Sequence, residues 1–120
     1  MLSNIKVLDT MSAMAGHAAE RHSVLANNIA NANTPNFKAQ DLQPFSEIYK
    51  TAAQEQKNIK MLQASTVEMD AGDVASPNGN TVSLEQQMML STQTQGSHDM
   101  ALAVYKKSLD MMKLAIGKHI

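Results

Sequence analysis

The sequence predicts a mainly α-helical fold in which long N- and C-terminal helices pair as an antiparallel coiled-coil hairpin. Two unbroken heptad seams, one toward each end of the 120 residues, predict the helices. A weakly patterned stretch holding all three prolines predicts the connector. The chain divides accordingly into an N-terminal coiled-coil helix (1–33), an exit turn and loop-rich connector (34–80) with room for a short helix or strand, and a C-terminal coiled-coil helix (81–120).

The first helix is expected over residues 4–33. Leu8, Met11, Ala15, Ala18, His22, Leu25, Ile29 and Ala32 recur at alternating spacings of 3 and 4, which returns one narrow stripe to the same side. Ser3 or Asn4 can cap the start, because a short side-chain oxygen accepts from the unpaired first-turn N–H groups. Pro35 marks the end, since the residue before a proline is pushed out of the helical region. At about 1.5 Å per residue this is a rod of roughly 45 Å, long for so short a chain.

The second seam runs through Leu84, Met88, Ser91, Gln95, His98, Leu102, Tyr105, Leu109, Met112 and Ile116. Ser83 and Gln86 have capping-box spacing at its start. It is apolar at both ends and polar in the middle, and buried polar seam positions cost stability while setting register or oligomer state. Gly96 weakens the pattern locally, and Gly117 sits where the helix would stop. Between the seams, Ser46–Leu62 can hold a helix on Ile48, Ala52, Ile59 and Leu62. Thr66–Met69 alternates like a short strand, and residues 76–80 form a turn in which Asn78-Gly79 can take positive φ.

Pairing residue i with residue 120 − i sets Ala15 and Ala18 against Tyr105 and Leu102, small against large. It also brings Leu8 to Met112, Met11 to Leu109 and His22 to His98. This register leaves Ile5, Val7, Met14, Val24, Leu90, Met100, Val104, Met111 and Leu114 off the seam. One hairpin cannot cover that second stripe. Either the middle segment folds over it, or other chains cover it in an assembly.

Composition excludes more than it suggests. Aromatics are 3% of residues, so the core draws on aliphatic residues, Ala and ten Met. The absence of Cys removes disulfides, thiolate metal sites and a Cys nucleophile. A net charge of −1 provides no bulk attraction to nucleic acid or an anionic membrane. No apolar run is long enough to span a bilayer, and the opening residues lack the apolar core of a cleaved signal peptide. His17 and His22 are five apart, which is not a helical zinc-pair spacing. Glu68, Asp70 and Asp73 lack the bidentate Glu of a calcium loop. No phosphate loop or nucleophile elbow is present, so neither an enzyme nor a cofactor is expected.

The distinctive feature is Asn-rich. Five Asn (27, 28, 31, 33 and 36) fall within ten residues, where the helix gives way to Thr34-Pro35. Asn amides compete for backbone hydrogen bonds, so their concentration suits capping and an ordered exit path. The run Ala26-Asn27-Asn28-Ile29-Ala30-Asn31-Ala32-Asn33-Thr34-Pro35-Asn36-Phe37 resembles the signature of the flagellar rod and hook axial proteins. Its continuation Lys38-Ala39-Gln40-Asp41-Leu42 is more similar to the proximal-rod members than to distal-rod or hook members, and Gly79-Asn80-Thr81-Val82-Ser83-Leu84-Glu85 supports the same resemblance. Asn36 stands where the family commonly has Gly. Asn tolerates positive φ better than other non-Gly residues, so the same turn is expected.

The resemblance implies a structural subunit that assembles helically into the proximal rod of the basal body, transmitting torque and enclosing the export channel. It implies as partners further copies, other rod proteins, the adaptor joining rod to membrane ring, and the flagellar type III export apparatus. It also implies a periplasmic rod location reached without a cleaved signal, and no direct membrane span. Leu8, Met11, Ala15, Ala18, His22, Leu25, Ile29, Leu102, Tyr105, Leu109 and Met112 would then pair or assemble the helices, with Asn27 to Phe37 setting the closure. The competing reading is a cytosolic coiled-coil adaptor or export chaperone, which would share the seams.

Overall fold

The computed structural model describes residues 2–70 and 76–117. Helix α1 (Leu2–Ala30) and helix α3 (Leu84–Gly117) lie along each other. Between them come β1 (Gln40–Leu42), α2 (Phe45–Glu55), a single 3₁₀ turn (Ile59–Met61) and β2 (Thr66–Glu68). The molecule measures 67 × 28 × 18 Å, with a radius of gyration of 18.2 Å. A compact chain of this length would have a radius near ~14 Å, so the long-rod expectation holds.

The helix boundaries differ from the expected ones. α1 begins at Leu2, ahead of the anticipated caps Ser3 and Asn4, and ends at Ala30 rather than residue 33. Hydrogen-bonded turns carry the chain onward, with Thr34 N–H donating to Asn31 O at 3.0 Å and Phe37 N–H to Thr34 O at 3.3 Å. At the start of α3, Gln86 N–H donates to Ser83 Oγ at 3.3 Å, one half of the capping box. α3 runs unbroken through Gly96.

The α1 seam follows the heptad through Leu8, Met11, Ala15, Ala18, His22 and Leu25, and then shifts. Asn28 is fully buried where Ile29 was expected, and Ile29 is 40% exposed. The α3 seam is rotated by about half a residue step. Ser91, His98, Tyr105, Leu109 and Met112 are half-buried as expected, but Leu84, Met88, Gln95, Leu102 and Ile116 face outward. The buried places between them belong to Gln87, Thr94 and Ala101. These residues are small or can satisfy their own polar atoms: Thr94 Oγ1 donates to Leu90 O at 2.7 Å. Small seam residues let the two backbones approach, whereas bulkier Leu102 or Met88 would hold them apart.

The pairing register is also corrected. Under 120 − i, Asn28 would oppose Thr92; instead its Nδ2 donates to Gln87 Oε1 at 2.9 Å, five residues away. A cleft of about 260 Å³ where α1, the connector and α3 meet is lined by Ala18 and Arg21, by Asp41 and Phe45, and by Thr94 and Ser97. His22 and His98 therefore do not share a layer.

The opposite face of α1 carries the connector. Ile48, Ala52 and Ile59 form a small core with Ala13, Phe45, Leu62 and Ala64 against it. The expected helix over Ser46–Leu62 is broken because Gln56 takes the left-handed conformation (φ 52°) and Asn58 caps the following turn through its side chain. β2 matches the alternating segment and pairs antiparallel with β1, Asp41 opposite Val67. β1 was not anticipated: three residues with one buried side chain carry almost no periodic signal. Asp73 and His119 lie outside the described residues.

Candidate functional site

The Asn-rich exit of α1 and the approach to α3 close on each other as a clasp of buried amides at one end of the hairpin. Residues 36–39 run beside 78–81. Asn36 N–H donates to Asn78 O at 3.0 Å, Thr81 N–H to Phe37 O at 3.0 Å, and Ala39 N–H to Thr81 Oγ1 at 2.8 Å. Lys38 Nζ reaches Gly79 O at 2.9 Å. Asn36 has φ 61° and Gly79 φ 82°, so the two left-handed residues face each other across this short ladder. A Cβ added to Gly79 would run into the Asn36 side chain. Positive φ and close approach together require glycine there.

Asn28 binds the connector as a strand would. Its Oδ1 accepts from Gln40 N–H at 3.0 Å and its Nδ2 donates to Gln40 O at 2.7 Å, a two-bond pairing with the first residue of β1. The same Nδ2 supplies the bond to Gln87, whose Nε2 lies 3.7 Å from Met69 Sδ. Asn80, 1% exposed, caps α1 from a distance. Its Nδ2 donates to Asn31 O at 2.8 Å and Thr34 O at 2.7 Å, carbonyls of the turns after the helix that each also accept a turn N–H. Its Oδ1 accepts from Val82 N–H at 2.8 Å, fixing the entry to α3. The buried amides Asn28, Asn80 and Gln87 all have partners, as burial demands.

Two further ties hold the connector to α1. Arg21 grips Asp41 through two parallel bonds, Nε to Oδ1 and an η nitrogen to Oδ2, each 2.9 Å, with both side chains largely shielded. His17 Nε2–H donates to Gln43 O at 2.7 Å, and its ring meets Phe45 edge-on at 5.6 Å. His17, Arg21 and Asn28 thus hold Gln43, Asp41 and Gln40 in reverse order. The connector runs antiparallel along α1, beside α3, and meets it at Asn28, which bonds both.

The motif residues separate by role. Asn28 is buried, Asn31 and Phe37 are half-buried, and Ala26, Asn27, Ala30, Asn33, Thr34 and Pro35 are exposed. Asn27 O accepts from Asn31 Nδ2 at 2.8 Å, and Thr34 Oγ1 donates to Asn31 Oδ1 at 3.1 Å, ordering the last turn. Of the pairing residues, Ala15, Ala18 and Leu25 are buried and Leu8, Met11, His22, Tyr105, Leu109 and Met112 half-buried, while Leu102 is 47% exposed. His22 Nε2 is buried with no hydrogen-bond partner among the described residues. Sequence reasoning missed Gln87, and it placed Asn80 only in the 76–80 turn and in the family resemblance. Their signal was present as the polar stripe Gln87, Thr94 at heptad spacing with Ala101.

The clasp closes one end of a hairpin that leaves much of the apolar surface of its described residues uncovered. Residues 10–38, the helix and exit half of the clasp, match the family described as flagella basal body rod protein. Over 127 aligned positions, covering 95% of each chain, the sequence is 27% identical to the flagellar basal body rod protein FlgB of Agrobacterium fabrum (strain C58 / ATCC 33970). Both matches are to flagellar basal body rod proteins.

Proposed function

We propose that this chain is a structural subunit of the basal-body rod, built into its proximal part by helical assembly of like subunits around the export channel. The observation that carries the reading is the end-to-end similarity to a FlgB protein. The hairpin's outward stripe supports it: Leu84, Met88, Met89, Met100, Leu102, Met111, Leu114 and Ile116 are each about half exposed or more. An apolar surface that extensive on one helix is characteristic of chains completed by neighbours.

The mechanism is mechanical. Interlocked helices transmit torque through packing, and the clasp keeps each hairpin from shearing. Other rod proteins, the adaptor at the membrane ring and the type III export apparatus are the partners this role requires. Among the described residues no helix is long and apolar enough to cross a membrane, which suits a location in the periplasmic rod. A free-standing coiled-coil adaptor is not favoured by either match.

Mass spectrometry of purified hook–basal bodies tests the reading. Finding the chain there at a few copies per structure, with loss of the rod on deletion, is the expected result. Finding it only as a soluble, fully helical cytosolic protein would overturn it.

A further inference from the structure

Asn78-Gly79, at the tip of the clasp, is the chain's one Asn-Gly step; its other eight Asn are followed by Ile, Asn, Ala, Thr or Phe. The backbone nitrogen after an Asn can attack that side chain's Cγ. A new N–Cγ bond closes a five-membered succinimide, the side-chain amide nitrogen leaves as ammonia, and water then opens the ring. Opening at one carbonyl leaves aspartate; opening at the other routes the main chain through Cγ and leaves isoaspartate. Glycine favours the attack, because it has no Cβ to crowd the nitrogen and its backbone turns most freely.

In the folded chain this step is open to water yet tied at both reacting groups. Asn78 is exposed and Gly79 half-buried. Gly79 N–H, which must lose its proton before the nitrogen can attack, donates to Ser76 O at 2.8 Å. Asn78 Oδ1 accepts from Asn80 N–H at 3.1 Å, which fixes the side chain that would be attacked. Asn78 O accepts from Asn36 N–H at 3.0 Å, and Ser76 N–H closes the turn on Asn80 O at 2.9 Å. Rotating Asn78 to swing the Gly79 nitrogen toward Cγ also swings Asn78 O away from Asn36. Asn80 anchors the whole turn to the exit of α1 through Asn31 O and Thr34 O.

We infer that Asn78-Gly79 is a deamidation site gated by the clasp: held back while the clasp is closed, reactive once it opens, and yielding an isoaspartate chain that does not reclose. The aspartate product keeps a side-chain oxygen where Asn80 N–H bonds. Isoaspartate lengthens the main chain by a methylene and makes Asn78 O part of a free carboxylate, so the bonds to Asn36 and Asn80 are not both kept. An open chain therefore has a limited time in which to fold. The inference concerns the chain alone and does not rest on the rod reading.

The test holds purified full-length chain at mildly alkaline pH in native buffer and in guanidinium chloride. Peptide mass spectrometry follows the amide-to-acid mass gain at each Asn, and an isoaspartyl methyltransferase reports the isomer. In denaturant Asn78 should convert ahead of the other eight Asn; an Asn78 that does not would remove the site. In native buffer it should convert at least about tenfold more slowly, because reaction waits on local opening; equal rates would overturn the gate. Asn80→Ala, which drops the bonds to Asn31 O, Thr34 O and Val82 N–H, should raise the native rate about tenfold. Should that variant lose its helical circular dichroism, Thr81→Val takes its place, removing only the acceptor for Ala39 N–H. A rate no higher than the parent's in the folded variant overturns the gate. Chains returned to native buffer after conversion give the last readout. Those with isoaspartate should lose hydrogen-exchange protection at the Asn36 and Thr81 amides, while the Asn78→Asp variant keeps it. Protection kept in both, or lost in both, would overturn the block on reclosure.

Discussion

At the scale of single residues the clasp concentrates the energetic risk. Asn80→Ala removes both donors to Asn31 O and Thr34 O and the acceptor for Val82 N–H. Asn31 O and Thr34 O keep their turn N–H partners, so Val82 N–H is the main group left unpaired, and a net loss of about 1–3 kcal/mol is expected in denaturant unfolding. Gly79→Ala meets two obstacles, the Asn36 side chain and a positive φ, and should cost at least about 1–2 kcal/mol by the same measurement. Asn36→Gly should be close to neutral, whereas Asn36→Val should lose stability, because only the first accepts φ 61° without strain. That backbone state was legible in the sequence: Asn at a position where related chains carry Gly implies a left-handed turn. The burial of Gln87 was not. Whether an amide can be buried depends on a partner, and Asn28 lies 59 residues away in the chain.

At the scale of elements, the heptad spacing located both long helices and one of the two alternating seam positions of α3. It misplaced the other by one residue, because large apolar residues draw the eye and the buried positions are small or polar. Ala101 and Leu102 offer a direct comparison. Ala101→Leu places extra bulk in a closed seam, and overpacking of this kind costs about 1–3 kcal/mol. Leu102→Ser alters an outward position and should change the chain's own stability by no more than about 0.5 kcal/mol. Thermal unfolding of the two variants checks both, and a larger effect at Leu102 would mean the seam has been assigned to the wrong side. β1 and its ties to His17, Arg21 and Asn28 escaped the sequence for a different reason. A three-residue strand has no period, and what fixes it is a row of side chains on another element.

At the scale of the whole molecule, an elongated hairpin with a thin connector layer on one side of α1 cannot bury its second helix on all faces. Met111→Glu or Leu114→Glu should therefore leave unfolding of the isolated chain unchanged, yet prevent recovery of the chain in purified basal bodies. The sequence disclosed this surplus of apolar residues, and the structure shows that the connector covers α1 rather than α3. Met61, Met88, Met89, Met100 and Met111 are all more than half exposed. Thioethers are open to oxidants in proportion to their access, and a sulfoxide turns a pliant apolar side chain into a polar one. An unassembled subunit is on this account chemically perishable. Brief peroxide treatment should mark these five methionines in free chains, spare those sealed between subunits, and leave the treated chains unable to join a growing rod.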